Sequence, residues 1–193
     1  MKKFKLTSEF IVDISGVKLF RIKALIEFGN VKAGDLGGYI EKEENLSHMG
    51  DAWVSDDARI SGNAQVFGDA QVFGDAWVFG NAWVSGNARV FGDAQVFGNA
   101  RVSGNARVSG DAQVFGDARV SGDKDYAYAH GFGSVNRTTT FFRLKDGGVG
   151  VQCGCFYGTL AQFRDKIRET HGETKKAQEY LMLADLMKLR FEK

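Results

Sequence analysis

The most regular feature of the chain is an alternation of apolar and polar positions that repeats every six residues from Gly50 to Ser121. Each hexad has an alanine and, two positions later, an aliphatic residue, a spacing typical of a short strand with one apolar face. A Gly follows two residues on, replaced once by Asp56, and then comes Asp or Asn, as in tight turns with positive φ. A short strand and a corner in every hexad predict a coil rather than stacked hairpins. The twelve aliphatic positions are Val54, Ile60, Val66, Val72, Val78, Val84, Val90, Val96, Val102, Val108, Val114 and Val120.

These hexads, aliphatic-x-Gly-x-Ala-x, resemble those of the left-handed parallel β-helix of hexapeptide-repeat proteins. The resemblance implies a triangular prism with three hexads per coil and left-handed winding, whereas the periodicity alone indicates only a solenoid. Twelve hexads then make four regular coils, about 19 Å long at the ~4.8 Å spacing of neighbouring strands. We therefore predict a mainly β fold, a left-handed parallel β-helix with an N-terminal β cap and a small C-terminal α+β module.

The segments outside the hexads are predicted to cap the exposed strand edges at the two ends of the coil. Two strand-like runs, Phe10 to Ile14 and Lys18 to Ile22, are joined at Ser15-Gly16 and precede an irregular first coil. The predicted organisation is a cap at 1–49, the hexapeptide-repeat β-helix at 50–122, an exit loop at 123–136 and a ββαα module at 137–193.

The ββαα module is predicted from turn and capping signals. Strands from Thr138 to Leu144 and from Val149 to Cys155 flank an Asp-Gly turn. Thr159 and Gln162 have the spacing of a capping box at the start of one helix, and Thr174 caps a second. The apolar face predicted for that second helix comprises Ala177, Tyr180, Leu181, Ala184, Met187 and Phe191.

Two segments carry a more specific resemblance. Residues 21–54, RIKALIEFGNVKAGDLGGYIEKEENLSHMGDAWV, resemble the leading segment of phage- and prophage-borne hexapeptide-repeat proteins and of YdcK-like bacterial proteins. Residues 153–172, CGCFYGTLAQFRDKIRETHG, resemble the C-terminal module of many phage proteins in that family. The resemblance implies the fold and a phage-encoded origin, but no defined activity.

Composition narrows the functional classes. Twenty-five Gly without any Pro, beside 44% hydrophobic residues, indicate ordered turns around a core rather than disorder. A net charge of +1 argues against a dedicated nucleic-acid or membrane-surface protein. Two cysteines cannot form a disulfide framework, and no signal peptide or spanning segment is expected. The prediction is a soluble protein of the bacterial cytoplasm, with no membrane partner.

One predicted face of the prism is rich in aromatic residues. At eighteen residues per coil, Trp77, Phe79, Phe97 and Phe115 point outward on the same face. Large apolar patches usually mark an interface. We expect a homo-oligomer, a dimer or a trimer, or cover by the terminal segments; the alternative is a stack of rings that stabilises the coil alone.

Four arginines in the last two coils form a second candidate site. Arg89, Arg101, Arg107 and Arg119 are expected to make a cationic rim for a nucleotide, another small anion or an acidic partner. The alternative is that they pair with corner aspartates.

One corner of the prism is predicted to consist of aspartate alone. A calcium ladder is one interpretation, and turn hydrogen bonds, for which Asp and Asn are interchangeable, are the favoured one. The four residues are Asp57, Asp75, Asp93 and Asp111.

Enzymatic signals are weak. Hexapeptide acyltransferases use a histidine general base, but the hexads contain no histidine, and His48, His130 and His171 lie outside them. Cys153 and Cys155 lack the spacing of zinc or redox motifs and are expected to be buried. We predict no catalytic residue, no metal and no cofactor.

Three functions remain open at this point. The first is a non-enzymatic interaction or scaffold protein, phage-encoded and self-associating, that antagonises a bacterial host defence factor. The second is an acyltransferase-like hexapeptide-repeat enzyme. The third is a nucleotide or small-anion sponge that uses the arginine rim.

Overall fold

The computed structural model describes residues 1–133 and 137–192. The N-terminal cap is an antiparallel hairpin of β1 (Phe4–Val12) and β2 (Lys18–Ala24), followed by β3 (Leu36–Ile40). β3 pairs antiparallel with β2 and parallel with the solenoid, so it joins the hairpin to the coil. The turn of the hairpin passes through Gly16, whose φ of +83° suits a residue without a Cβ.

The hexads form twelve strands of two residues each. They are β4 (Trp53–Val54), β5 (Arg59–Ile60), β6 (Gln65–Val66), β7 (Gln71–Val72), β8 (Trp77–Val78), β9 (Trp83–Val84), β10 (Arg89–Val90), β11 (Gln95–Val96), β12 (Arg101–Val102), β13 (Arg107–Val108), β14 (Gln113–Val114) and β15 (Arg119–Val120). Each strand pairs parallel with the strand eighteen residues away, as Arg89 does with Arg107. The hexads therefore stack in three parallel sheets, and the predicted β-solenoid with three hexads per coil is confirmed.

The three sheets differ in how far they extend. Sheet 1 has the order β13-β10-β7-β4, and sheet 3 has the order β15-β12-β9-β6. Sheet 2 continues into the N-terminal cap in the order β1-β2-β3-β5-β8-β11-β14. β3 and a parallel bridge between Leu46 and Val66 add a partial coil, so the solenoid has about five turns instead of four. The left-handed winding implied by the resemblance stays a prediction.

The core of the solenoid is a column of small and aliphatic side chains. The alanine and the Val or Ile of every hexad are buried, from Ala52 to Val120. The corner glycines from Gly50 to Gly116 have φ between +59° and +71°. Asp56 occupies that conformation at φ +57°, and its carboxylate accepts the N–H of Gly74 in the next coil. Asp tolerates left-handed backbone better than most residues, which explains this one exception.

The C-terminal module is larger than predicted. A 3-10 turn (Asp123–Asp125) leads into β16 (Tyr126–Phe132), β17 (Arg137–Arg143), β18 (Val149–Cys153) and β19 (Phe156–Thr159), and then into α1 (Leu160–His171) and α2 (Lys175–Phe191). The strands form an antiparallel sheet in the order β16-β17-β18-β19. Residues 126–132 of the exit loop predicted at 123–136 form β16, and four strands occur where two were predicted, which corrects both expectations for the described residues. Residues 134–136 of that predicted loop lie outside the described residues. The Tyr-Ala alternation of β16 becomes a strand because β17 pairs with it.

The predicted helix caps are confirmed. Thr159 accepts the backbone N–H of Gln162, and the Gln162 side chain accepts that of Thr159. Thr174 accepts the N–H of Ala177 at the start of α2. A second core, separate from that of the solenoid, lies between the four-stranded sheet and the two helices and contains Phe141, Phe163 and Tyr180.

Side chains of the two caps satisfy backbone groups that the first and last coils leave without a neighbouring strand. At the N-terminal end, the Lys3 Nζ donates to the carbonyls of Gly50 (3.0 Å) and Ala52 (2.8 Å). The Asn45 amide donates to the carbonyls of Gly62 (3.1 Å) and Ala64 (2.8 Å). Donor side chains therefore satisfy these carbonyls, while the Glu41 carboxylate accepts the N–H of Gly62 (2.6 Å) at the same end.

At the C-terminal end, two side chains accept backbone N–H groups of the last coil. Asp123 Oδ1 accepts the N–H of Arg107 (3.2 Å), and Thr140 Oγ1 accepts that of Gln113 (3.0 Å). The Tyr126 hydroxyl accepts the N–H of Ser109 (3.4 Å) and donates to the Ser109 carbonyl (3.1 Å). The caps thus replace a missing coil with side chains of the required hydrogen-bonding type.

Candidate interaction surfaces

The aromatic face predicted from the hexads is a continuous ladder on sheet 2. The rings of Phe79 and Phe97 stack at 4.7 Å and 4°, and those of Phe97 and Phe115 at 4.6 Å and 4°. The Trp77 ring lies 4.5 Å from that of Phe79. All four side chains are half-buried, since neighbouring rings cover each other's faces and leave the edges outward. We call Trp77, Phe79, Phe97 and Phe115 the aromatic ladder.

The ladder continues onto the C-terminal module. The Tyr157 ring lies 4.2 Å from that of Phe115, and the buried Phe142 lies 6.4 Å from it. Tyr157 is 43% exposed. Burial, and secondarily the charge of Asp117, raise the pKa of Tyr157 above its ordinary value, so its hydroxyl is uncharged at neutral pH. The C-terminal module thus partly covers the Phe115 end of the ladder, and the outer edges of the rings face outward along the rest of it.

The ladder carries little charge around it. In β11 and β14, the other side chains that point outward are the uncharged Gln95 and Gln113. Among the strands of sheet 2 in the solenoid, the nearest charged side chain that points outward is Arg59 in β5. The outward side chains of β11 and β14 are therefore uncharged, while the carboxylate of Asp117 acts on the C-terminal end of the ladder, beside Tyr157.

The other two sheets carry shorter aromatic groups. On sheet 1 the rings of Phe73 and Phe91 stack at 4.9 Å and 2°. On sheet 3 the exposed Trp83 contacts Phe67 edge-on, and the Arg101 guanidinium lies 4.5 Å from its ring centroid. These groups stop after two or three rings, so the ladder on sheet 2 is the longest among the described residues.

The four predicted arginines lie as two pairs on two sheets, and their role in anion binding stays a prediction. Arg89 and Arg107 are neighbours on sheet 1, whereas Arg101 and Arg119 are neighbours on sheet 3. Arg101 lies over Trp83, as noted, and Arg119 donates to the carbonyls of Asn99 and Ala118. Within residues 1–133 and 137–192 none of the four forms an ion pair, so the alternative pairing with corner aspartates is not seen there either.

The corners stack side chains in register. Asn63 donates to Asn81 (3.2 Å), Asn81 to Asn99 (3.3 Å) and Asn99 to Asp117 (3.5 Å), which makes an amide ladder along one edge. At the aspartate corner, His130 Nδ1 lies 3.8 Å from Asp111. No cluster of three or more metal-ligating side chains occurs in the described part of the chain.

The three histidines lie far apart in the fold and each has a structural contact. His48 stacks on Phe4 at 4.3 Å in the N-terminal cap and accepts the N–H of Lys3. His130 lies in β16, 2.9 Å from the Thr138 hydroxyl. His171 ends α1. None is hydrogen-bonded to a cysteine among the described residues, so the geometry does not form a nucleophile–base pair.

The two cysteines are not buried, which corrects the prediction. Cys153 ends β18, pairs with Phe156 and is half-buried, while Cys155 is exposed. The turn between them contains Gly154 at φ +60°. Thr139 donates to the Cys153 sulfur at 3.2 Å. A two-residue hairpin turn, which the sequence did not indicate, brings both thiols out of the core to the edge of a cavity.

An exposed apolar stripe on α2 was missed by sequence reasoning. Met182, Leu186 and Leu189 are 71%, 54% and 70% exposed and lie at spacings of four and three residues, on one side of the helix. The opposite side, with Tyr180, Leu183 and Met187, packs on the sheet. The sequence did contain a signal for this stripe, because α2 has more large apolar residues than one inward face can bury. We call Met182, Leu186 and Leu189 the α2 stripe.

In the described part of the chain no helix is both long and apolar enough to cross a membrane. The family described as YdcK Beta solenoid repeat matches the chain at residues 70–86, 82–98 and 94–110, all within the regular hexads. No curated protein matches the chain. The resemblances of residues 21–54 and 153–172 lie outside the matched part and stay predictions. The central hexads are thus similar to the YdcK β-solenoid repeat, and the structure carries them as a β-solenoid.

Proposed function

We propose that the protein is a non-enzymatic scaffold that associates with a second copy of itself through the aromatic ladder. The observation that carries the proposal is the unbroken stack of Phe79, Phe97 and Phe115, which extends to the exposed Tyr157. A second copy is favoured because the rings repeat regularly and the outward side chains between them, Gln95 and Gln113, are uncharged. Two such faces can pack ring against ring, since the rungs of both copies have the same spacing.

The ladder can be removed with little damage to the coil. Ser occupies the equivalent position in other hexads, including Ser61 of the same sheet, so Phe79→Ser, Phe97→Ser and Phe115→Ser are compatible with the solenoid. We expect the wild-type protein to sediment as a dimer or trimer and the triple variant to sediment as a monomer. Its β-sheet circular dichroism should be retained.

The matched control changes the same residue type on another face. Phe73→Ser with Phe91→Ser removes the stacked pair of sheet 1 and should leave the oligomer intact. A second comparison replaces the α2 stripe by Met182→Gln, Leu186→Gln and Leu189→Gln. If these changes dissociate the oligomer while the ladder variant stays associated, the interface lies on α2 and the proposal is wrong. A wild-type protein that remains monomeric at high concentration also contradicts it.

The finer function rests on resemblance alone. We propose that the protein is phage-encoded and that its second partner is a bacterial host protein, and co-purification from an infected host, with the ladder variant as the comparison, would test this. The acyltransferase and anion-sponge alternatives have less support. The histidines lie apart, and the four arginines form two pairs on different sheets.

A further inference from the structure

A cavity of about 220 Å³ opens in the C-terminal module between the β18–β19 turn and α1, away from the aromatic ladder. Its walls are apolar and come from Phe156, Phe163, Ile167 and Tyr180. A cavity of about 150 Å³ with apolar walls can hold benzene. This one therefore has room for a larger aromatic ring system.

The polar groups around the cavity are cationic or neutral. Arg137, at the start of β17, and Lys166 and His171, on α1, contribute side chains to its lining. No Asp or Glu lines it in the described part of the chain, and Lys166 forms one exposed ion pair, with Glu169 (3.0 Å). A cavity with this lining attracts an anion rather than a cation.

The Arg137 side chain lies against the hairpin turn between β18 and β19. Its guanidinium packs against Gly154, at a place that a Cβ would occupy, and Gly154 has φ +60° in the hairpin turn. Because Gly154 has no side chain, the guanidinium of Arg137 can lie directly over the backbone of this turn. Cys153 and Cys155, on either side of this glycine, both line the cavity.

We propose that this cavity binds a small ligand with a flat apolar body and one anionic head, of the aromatic carboxylate class. The ring system would lie against Phe156, Phe163 and Ile167, and the carboxylate would pair with Arg137, a planar bidentate donor. This site does not depend on the proposed self-association, since the ladder and the cavity share no residue.

The test uses 2-naphthoate and its neutral counterpart 2-naphthamide as probes on the full-length protein, with calorimetry as the first readout. At roughly −0.3 kcal/mol per heavy atom the acid should bind with a Kd of about 1 mM or tighter, and the amide at least tenfold more weakly. Bound naphthoate should also slow alkylation of Cys155 by iodoacetamide, followed by intact mass. That second readout places the probe at this cavity.

Arg137→Met should abolish the preference for the acid and its protection of Cys155. Arg168→Met is the matched control, because Arg168 lies on the same helix as Lys166 and is exposed outside the cavity, and it should bind as the wild type does. If Arg137→Met loses its helical circular dichroism, Lys166→Gln replaces it. The proposal is overturned if naphthoate fails to bind at 10 mM, if Arg137→Met and Lys166→Gln both bind it normally, or if Cys155 is alkylated at the same rate with and without it.

Discussion

At the scale of the residue, the caps of the solenoid must supply individual hydrogen-bonding groups. Each edge of a parallel sheet presents both N–H and carbonyl groups, so each cap needs donors and acceptors at particular places. Lys3 donates to two carbonyls at the N-terminal end although it is an ionisable residue with 2% of its surface exposed. Its desolvation lowers its pKa from 10.5 to about 8, and the charges of Asp51 and Asp69 oppose the shift. A neutral amine still has two N–H donors for its two carbonyl partners.

This lowered pKa predicts that stability increases in mild alkali. The folded protein releases the Lys3 proton near pH 8, whereas the unfolded chain keeps it until near pH 10.5, so the unfolded chain binds more protons between these values. The free energy of unfolding should therefore rise by about 1.5 kcal/mol from pH 8 to pH 9.5, because the full slope of 1.36 kcal/mol per pH unit applies only once Lys3 is largely deprotonated in the folded protein. Denaturant titrations at the two pH values measure the rise.

Two variants isolate the contribution of Lys3. Lys3→Met should lose the rise in stability, while Lys5→Met, which removes an exposed lysine two residues further along in β1, should keep it. The window ends below pH 10 because burial raises the pKa of Tyr126, and ionisation of Tyr126 in the unfolded chain then lowers stability. An equal rise in Lys3→Met and wild type would show that Lys3 is not the group responsible.

At the scale of the element, the hexads encode the coil almost completely. Alanine and valine point inward, glycine turns the corner, and the eighteen-residue register follows from three hexads per coil. The capping box of Thr159 and Gln162 is equally local and was predictable for that reason. β16 was not predictable from its own sequence, because a strand next to glycines forms only when a partner such as β17 is present. The cavity of the C-terminal module was not predictable either, because its walls come from α1, a hairpin turn and residue 137, which are separate in the sequence.

The corner glycines supply a prediction at this scale. Gly86 has φ +65°, and a Cβ there would lie 2.9 Å from the backbone nitrogen of Gly104 in the next coil. Left-handed backbone costs a residue with a Cβ about 1–2 kcal/mol, and the close approach adds to that cost. Gly86→Ala should lower the free energy of unfolding by about 2 kcal/mol or more.

Gly122→Ala is the matched change, since Gly122 has an extended backbone at φ −166° and open space around its Cβ direction. It should alter stability by no more than about 0.5 kcal/mol. The denaturation midpoints of both variants and of the wild type measure the two changes in stability. Similar losses of stability in both variants would show that the left-handed backbone of the corners is not what requires glycine there.

At the scale of the whole molecule, the solenoid is a stack of equivalent coils between two dissimilar caps. Each coil contacts only its neighbours, so stability is approximately a sum over the interfaces between coils. The caps hydrogen-bond to the terminal coils, through Lys3 and Asn45 at one end and Asp123, Tyr126 and Thr140 at the other. The number of coils in the middle is therefore not fixed by the caps.

Removal of one complete coil tests this independence. Deleting residues 87–104 joins Gly86 to Asn105, which recreates a Gly-Asn corner and brings Phe79 beside Phe115 in the ladder. The shortened protein should fold and unfold cooperatively, with a lower melting temperature because one inter-coil interface is lost. Deleting residues 87–102 removes almost as much chain but displaces every later corner by two residues, so glycines no longer stack on glycines. That variant should show no cooperative transition by circular dichroism. If both deletions unfold alike, the eighteen-residue register is not what holds the solenoid together.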